Sequence, residues 1–195
     1  MPKNIIVGID LAGKATNPTG WAMLRNKTIF TCHLYHDEEI LNHTINCDPK
    51  IIAIDAPLSM PKKAVMRKAD KEMQKQGYPV FPPQFPAMEK LTLRAIRIVK
   101  ELRRKGFKVI EVHPTSTRKA LKMPTKDWEK IQTIFLQMGL DGDWKTHALT
   151  PHEIDAVTAA LTGHLYIEGK TELIGDEKEG YIIVPSKRDW RKLQL

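Results

Sequence analysis

Two aspartates follow apolar runs of the same kind, and their carboxylates could act as a pair. Asp10 comes after residues 5–9 and Asp55 after residues 51–54, and both runs are typical of strands buried on both faces. If the strands are parallel neighbours, both carboxylates project from one edge of a sheet. Like charges held this close are unfavourable unless a proton or cation lies between them. Because Mg²⁺ and Mn²⁺ prefer oxygen ligands, the pair predicts a metal site. The alternative is that each aspartate only forms a turn or a helix N-cap.

A third candidate group lies on a predicted helix near the end of the chain. Thr150 is a good N-cap and Glu153 completes a capping box, so we expect a helix from residue 151 to about 167. His152 and Asp155 lie three residues apart on one face of it. That face continues with small residues, which would let the helix approach the sheet closely: Ala156, Ala159 and Gly163. We therefore predict that Asp155 joins the two strand aspartates and that His152 lies beside them. Capping explains Glu153 well, and the helix dipole or plain surface exposure are the alternatives for Asp155 and His152.

Glu111 is a charged residue inside the apolar run 107–112. A carboxylate on a strand buried on both faces needs a partner or a cation. A catalytic role for Glu111 and a structural ion pair, for example with Arg118, both remain open.

The elements that must position these residues form an α/β pattern. Strands are predicted at 5–9, 20–24, 28–35, 51–54 and 107–112, helices at 37–46, 61–76, 88–105, 117–121, 126–138 and 151–167, and a terminal β-hairpin at 173–174 with 181–184. This order indicates an α/β fold with a mixed five-stranded sheet flanked by helices. We expect one domain over residues 1–195, with a helical and proline-rich insertion at 61–105 between strands four and five.

The insertion carries basic residues at helical spacing. One stripe comprises Lys63, Arg67, Lys71 and Lys75, and a second comprises Lys90, Arg94, Arg97 and Arg104. With nearby aromatic residues such stripes could hold a phosphate backbone and stack bases, so we predict substrate contacts from Arg67, Lys71, Arg94 and Arg97. The alternatives are a solvated helix face and, for Arg67, an internal ion pair with Asp70.

Composition limits the kind of protein and partner. The 31 Lys and Arg against 23 Asp and Glu give a net charge of +8, which favours a polyanionic partner such as nucleic acid. No apolar run approaches the roughly 20 residues of a membrane span, and the first residues lack a signal-peptide layout. The 2 cysteines give no disulfide framework. We therefore expect a cytoplasmic protein without a membrane partner.

Short motifs along most of the chain resemble the DUF429 family, whose members are predicted nucleases of the ribonuclease H-like fold. The matching segments are Gly8-Ile9-Asp10-Leu11-Ala12-Gly13, Thr19-Gly20-Trp21-Ala22, Ile54-Asp55-Ala56-Pro57-Leu58-Ser59, Phe81-Pro82-Pro83, Glu111-Val112-His113-Pro114 and His152-Glu153-Ile154-Asp155-Ala156. The last segment is also similar to the RuvC-type branch, in which an Asp-Ala dipeptide on the final helix carries a metal-binding aspartate. The resemblance implies that Asp10, Asp55 and Asp155 are metal ligands and that His152 is a further site residue. The segment 61–105 departs from that branch, so specificity for four-way junctions is not carried over.

Together these features predict a metal-dependent nuclease that uses Mg²⁺ or Mn²⁺, with two ions in the site. The sequence leaves open DNA or RNA as substrate and the oligomeric state, with a homodimer among the options. One alternative is a catalytically silent nucleic-acid-binding module. Another is a nucleotide-binding protein of the sugar-kinase or chaperone ATPase type, although those proteins need two such domains. A zinc site from Cys32, His33, His36 and Cys47 lacks a standard ligand spacing.

Overall fold

The structure, a computed structural model, describes residues 4–193, apart from the side chains of residues 143 and 146. Its centre is a seven-stranded sheet in the order β3-β2-β1-β4-β5-β7-β6. The strands are β1 (Ile5–Asp10), β2 (Thr19–Arg25), β3 (Thr28–Leu34), β4 (Ile51–Asp55), β5 (Val109–Val112), β6 (Thr171–Asp176) and β7 (Gly180–Pro185). Strands β1, β4, β5 and β7 run parallel, whereas β2, β3 and β6 pair antiparallel with their neighbours. The predicted α/β class and mixed pairing are confirmed.

The predicted count of five strands was wrong, because the terminal hairpin continues the main sheet. Glu111 pairs with Ile182 and Val112 with Ile183, which places β7 directly beside β5. Residues 182–184 are all buried, as expected for an internal strand rather than an accessory hairpin. The hairpin thereby covers an edge of β5 that would otherwise present unpaired backbone groups.

Six α-helices surround the sheet: α1 (Asp37–Asn46), α2 (Lys68–Lys75), α3 (Pro86–Arg104), α4 (Pro114–Ala120), α5 (Trp128–Gln137) and α6 (Pro151–Ile167). The helix predicted over 61–76 is shorter, because the segment before α2 is held as a loop. The Glu179 carboxylate in the β6–β7 turn accepts the backbone N–H groups of Lys62 and Lys68. Lys63 therefore lies outside the helix on which we had placed it.

The core has one layer on each face of the sheet. Ile6 and Ala53 pack with α6 and α5 on one face, whereas Val7 and Ile54 pack with α3 on the other. The α3 residues of that second layer are Ala95, Ile98, Val99 and Leu102. No helix in residues 4–193 is both long and apolar enough to cross a membrane.

Helix α6 lies unusually close to β1 and β2, because glycines face it. A Cβ atom on Gly8 would lie 2.1 Å from the Ala156 carbonyl oxygen, and one on Gly20 would lie 2.0 Å from the His152 carbonyl oxygen. A Cβ on Gly163 of the helix would lie 2.9 Å from the Ile6 side chain. The predicted small-residue contact is confirmed, and it brings the first turns of α6 to the end of β1.

Candidate active site

The three predicted aspartates converge at the carboxyl ends of the central strands. Asp10 and Asp55 are directly opposite each other in the parallel pairing of β1 with β4. Asp155 reaches them from the second turn of α6. One carboxylate oxygen from each residue lies within 4.8 Å of the other two. This donor set matches the oxygen ligands that Mg²⁺ and Mn²⁺ prefer.

His152 lies at the rim of this group. Its Nδ1 is 2.7 Å from Oδ2 of Asp10, and its side chain is 49% exposed. The hydrogen bond to Asp10 is the main reason that the pKa of His152 is raised above its ordinary value, with burial acting against it. The ring is thus attached to one aspartate and open to solvent on its other side.

The aspartates carry more negative charge than their surroundings balance. Burial raises the pKa of Asp55 well above its ordinary range, and the nearby charges of Asp10 and Asp155 raise it further. Burial also raises the pKa of Asp155, although the Arg118 guanidinium opposes that effect. A site that holds like charges this close is stabilised by a cation.

Arg118 is the cation that the chain itself supplies, and the sequence did not assign it here. We had considered it as a partner of Glu111, but its Nη1 donates to Asp155 and, at 3.2 Å, to Thr158. The side chain is 1% exposed. Its Nε is buried without a hydrogen-bond partner. We define the aspartate site as Asp10, Asp55 and Asp155 with His152 and Arg118.

Glu111 has a different environment from the aspartates. Its two carboxylate oxygens accept hydrogen bonds from Nη1 and Nη2 of Arg67 at 2.8 and 2.6 Å. One of them also accepts the backbone N–H of Leu58. Of the two roles open for Glu111, the geometry favours the structural ion pair, with Arg67 as the partner instead of Arg118.

Arg67 is buried, not part of an exposed basic stripe. Every N–H of its guanidinium is engaged, with acceptors on Asp70, Glu111 and Ser59. These four residues form what we call the arginine cluster. The internal pair with Asp70, which we had held as the alternative, is present. A substrate contact from Arg67 would require breaking one of these hydrogen bonds.

The second basic stripe, on α3, also contains both buried and exposed residues. Arg94 is 4% exposed and donates to Asp37, and it also donates to the backbone carbonyl groups of Ala12 and Tyr35. It therefore fixes the loop after β1 instead of facing solvent. Arg97 is 67% exposed and Lys71 is exposed, so these two remain available to a polyanion. Helical spacing alone did not distinguish the buried arginine from the exposed basic residues. The reason is that the acceptors that bury an arginine come from distant parts of the chain.

The start of α6 is fixed by polar contacts as well as by glycines. The capping box between Thr150 and Glu153 is present, as the sequence predicted. Glu153 also accepts a hydrogen bond from Thr31 on β3, and His33 on β3 contacts the Thr150 hydroxyl at 2.8 Å. These contacts set the position from which His152 and Asp155 reach Asp10.

Within residues 4–193, the three aspartates are the one group of three or more acidic, histidine or cysteine side chains with metal-ligand geometry. Cys32, His33, His36 and Cys47 do not meet this criterion. The zinc alternative is therefore wrong for the described part of the chain.

Comparison with known proteins gives the family. The family model described as a protein of unknown function, DUF429, matches residues 8–180. The chain belongs to the DUF429 family. No curated protein matches it. The matched residues 8–180 contain the whole aspartate site, including His152 and Arg118.

Two solved structures share the fold of this DUF429 chain. One is RuvC of T. thermophilus in complex with a Holliday junction substrate, 15% identical, with a TM-score of 0.54, covering 85% of this chain and 95% of that one. The other is a Thermus thermophilus RuvC structure, 14% identical, with a TM-score of 0.51, covering 85% of this chain and 96% of that one. The similarity shows that the chain has a ribonuclease H-like fold, with two strands more in its sheet than we predicted.

Proposed function

We propose that the chain is a metal-dependent nuclease that hydrolyses phosphodiester bonds in nucleic acid. The observation that carries the proposal is the convergence of Asp10, Asp55 and Asp155, with oxygens within 4.8 Å of one another. Burial and the nearby charges of Asp10 and Asp155 raise the pKa of Asp55. A divalent cation bound between these carboxylates would offset that repulsion. The ribonuclease H-like fold, shared with RuvC structures, supports the same assignment.

The residues fit Mg²⁺ or Mn²⁺ by the chemistry of their donors. Three carboxylates with no nitrogen or sulfur ligand among them favour a hard cation. In this proposal Asp10, Asp55 and Asp155 would hold two ions. When bound, such ions activate water and stabilise the oxygen that leaves phosphorus.

His152 is proposed to handle protons at the rim of the site. Asp10 accepts the Nδ1–H of the ring, which fixes the orientation of the imidazole and leaves Nε2 directed away from Asp10. A histidine whose pKa is raised by its hydrogen bond to a carboxylate can exchange a proton with water or with the leaving oxygen. Arg118, in contrast, orients Asp155 from the buried side and neutralises part of its charge.

Nucleic acid is the proposed substrate because exposed cations lie on α2 and α3, the helices of the 61–105 segment that also lines a cavity beside Asp10 and Asp55. Lys71 on α2 and Arg97 on α3 remain the proposed phosphate contacts, and the net charge of +8 is consistent with a polyanion. One similar structure is a RuvC bound to a Holliday junction, which supports nucleic acid as a class without choosing DNA or RNA. We also propose that residues 61–105 are an insertion within one domain that carries these contacts.

The test is cleavage of a panel of single-stranded, double-stranded and branched DNA and RNA with Mg²⁺, Mn²⁺ or EDTA. We expect metal-dependent cleavage that falls by at least about 100-fold in Asp10→Asn and Asp155→Asn, since several kcal/mol of charge stabilisation depend on the metal. Asp127→Asn is the matched control, because Asp127 is an exposed N-cap on α5 and asparagine caps equally well. Equal activity in all variants would refute the proposal, and metal-independent binding without cleavage would indicate a silent binding module.

A further inference from the structure

A cavity of about 230 Å³ opens directly beside the aspartate site, and the proposed roles of the metal ligands and the ion pairs do not use its space. Asp10 and Asp55 form part of its wall. The loop between α2 and α3 and the start of α3 supply another part of the wall. Most of the lining side chains are apolar, among them Leu11, Pro57, Val80, Phe81, Met88 and Leu91. The cavity is smaller than the roughly 300–1,000 Å³ that accommodates a drug-sized ligand, so it suits a single ring system.

The charge of the wall argues against a phosphate inside the cavity. Four carboxylates line it, from Asp10, Asp55, Asp70 and Glu111, against the single guanidinium of Arg67. Arg67 has no N–H left to donate, since all of them bind Asp70, Glu111 and Ser59. An anion would therefore be repelled from this space, whereas a neutral ring would not.

His113, which also borders the cavity, adds no positive charge. Burial and the nearby Arg118 lower the pKa of His113 to about 4, so the ring is neutral at neutral pH. Its Nδ1 accepts the backbone N–H of Ser116, which leaves the proton on Nε2. The cavity thus offers apolar walls and borders a neutral imidazole.

Phe81 supplies a stacking surface at the edge of the cavity. Its side chain is 64% exposed, and the ring centroid of Phe85 lies 6.4 Å away. The flanking prolines Pro79, Pro82 and Pro83 restrict the loop that carries it. An exposed aromatic ring on a restricted loop can stack a base at little cost in conformational entropy.

We propose that this cavity receives one unstacked nucleobase of the substrate strand, next to the phosphodiester that the aspartate site would cleave. The inference rests on the proposed nuclease function and narrows its substrate class to single-stranded or locally unpaired nucleic acid. A base held inside a duplex keeps its faces covered by its neighbours and could not enter.

The test compares two strands of equal charge. One is a single-stranded deoxythymidine 12-mer, and the other has the same backbone with a tetrahydrofuran abasic analogue at every position. Dissociation constants are measured by fluorescence anisotropy in EDTA, where cleavage does not interfere. We expect the base-containing strand to bind about tenfold more tightly, the order expected for one base–aromatic stack. In Phe81→Ala the ratio should fall towards one.

Two further variants locate the effect. Met88→Trp would fill the cavity and should reduce the same ratio without removing a charge. Val65→Ala, at an apolar side chain that is 59% exposed and does not line the cavity, should preserve the ratio. Equal affinity of the wild-type protein for the two strands would overturn the proposal. So would a loss of affinity in Phe81→Ala that is the same for both strands.

Cleavage of the same two strands with Mn²⁺ separates this inference from the proposed function. Preferential binding of the base-containing strand, together with no metal-dependent cleavage of any strand in the DNA and RNA panel, would retain the base cavity and refute the nuclease. Cleavage of both strands at equal rates, with equal binding, would retain the nuclease and refute the base cavity.

Discussion

Two groups of carboxylates lie at the same end of the sheet, and they differ in how completely their charge is balanced. In the arginine cluster, Asp70 and Glu111 share a guanidinium whose N–H groups are all used. In the aspartate site, three carboxylates share one hydrogen bond from His152 and one ion pair with Arg118. The negative charge of the arginine cluster is balanced without a ligand, whereas that of the aspartate site is not. The position of a carboxylate at this end of the sheet therefore does not by itself identify a metal ligand. The number of hydrogen-bond donors and positive charges around the carboxylate separates the two groups better.

The largest expected effect comes from breaking the arginine cluster. Arg67→Ala would leave Asp70 and Glu111 buried without a counter-charge, so we expect the free energy of unfolding to fall by about 3–5 kcal/mol. Chemical denaturation measures it. The matched control is Arg97→Ala, whose side chain is 67% exposed and whose change should stay within about 0.5 kcal/mol. Similar values for the two variants would mean that the cluster is not a structural unit.

The aspartate site depends instead on the approach of α6 to the sheet. In Gly20→Ala the new Cβ would lie 2.0 Å from the His152 carbonyl oxygen, so the helix must move. We expect a loss of about 1–3 kcal/mol of stability together with weaker Mn²⁺ binding, measured by denaturation and calorimetry. Gly13→Ala is the control, because its nearest atoms are 3.6 Å away. Wild-type metal affinity in Gly20→Ala would contradict this dependence.

Removing a charge from the aspartate site should stabilise the metal-free protein. Two unit charges about 5 Å apart repel by a few kcal/mol at an effective dielectric constant of about 20, so we expect Asp55→Asn to be about 1–2 kcal/mol more stable than wild type in EDTA at neutral pH. Because the pKa of Asp55 is raised in the folded protein, its carboxyl group destabilises the fold increasingly as the pH rises above the ordinary aspartate pKa, and the full cost is reached above the raised pKa. The advantage of Asp55→Asn should therefore grow as the pH rises from the ordinary aspartate range.

Thermal unfolding across pH, with and without Mn²⁺, measures this difference. Mn²⁺ should stabilise wild type more than Asp55→Asn and so reduce or reverse the advantage. Asp127→Asn, at the exposed N-cap of α5, is the matched control and should follow wild type at every pH. A destabilised Asp55→Asn protein in EDTA would place the aspartate site in the same class as the arginine cluster.

The smallest expected effect concerns the exposed cations of α2 and α3, Lys71 and Arg97. Lys71→Gln and Arg97→Gln should each weaken nucleic-acid binding by a few tenths of a kcal/mol to about 1 kcal/mol and reduce the salt slope by about one. Lys27→Gln is the control, because Lys27 lies in the β2–β3 turn at the opposite end of the sheet. Equal salt slopes in all three would remove Lys71 and Arg97 from the substrate contacts.

Local patterns in the sequence predicted most of the fold. The apolar runs of β1 and β4, the capping box of α6 and the small residues that face the sheet all depend on neighbours in the chain, and each was recovered. The position of the terminal hairpin was not, because pairing of Glu111 with Ile182 joins distant segments.

The same distinction applies to the site. The aspartates were predictable because Asp10 and Asp55 end strands of recognisable pattern and Asp155 follows the capping box of α6 by two residues. The partners of Glu111 and Arg118 were not, since which charge pairs with which depends on tertiary distances that helical spacing does not encode. Burial of Arg94 under the loop after β1 could not be predicted for the same reason.

The most direct test of the central proposal is a crystal structure of the protein soaked with Mn²⁺, with anomalous scattering used to locate the ion. We predict manganese bound by Asp10, Asp55 and Asp155 and none at Asp70 or Glu111, where Arg67 already balances the charge. Manganese absent from the three aspartates at a concentration that supports cleavage, or bound at the arginine cluster instead, would contradict the account.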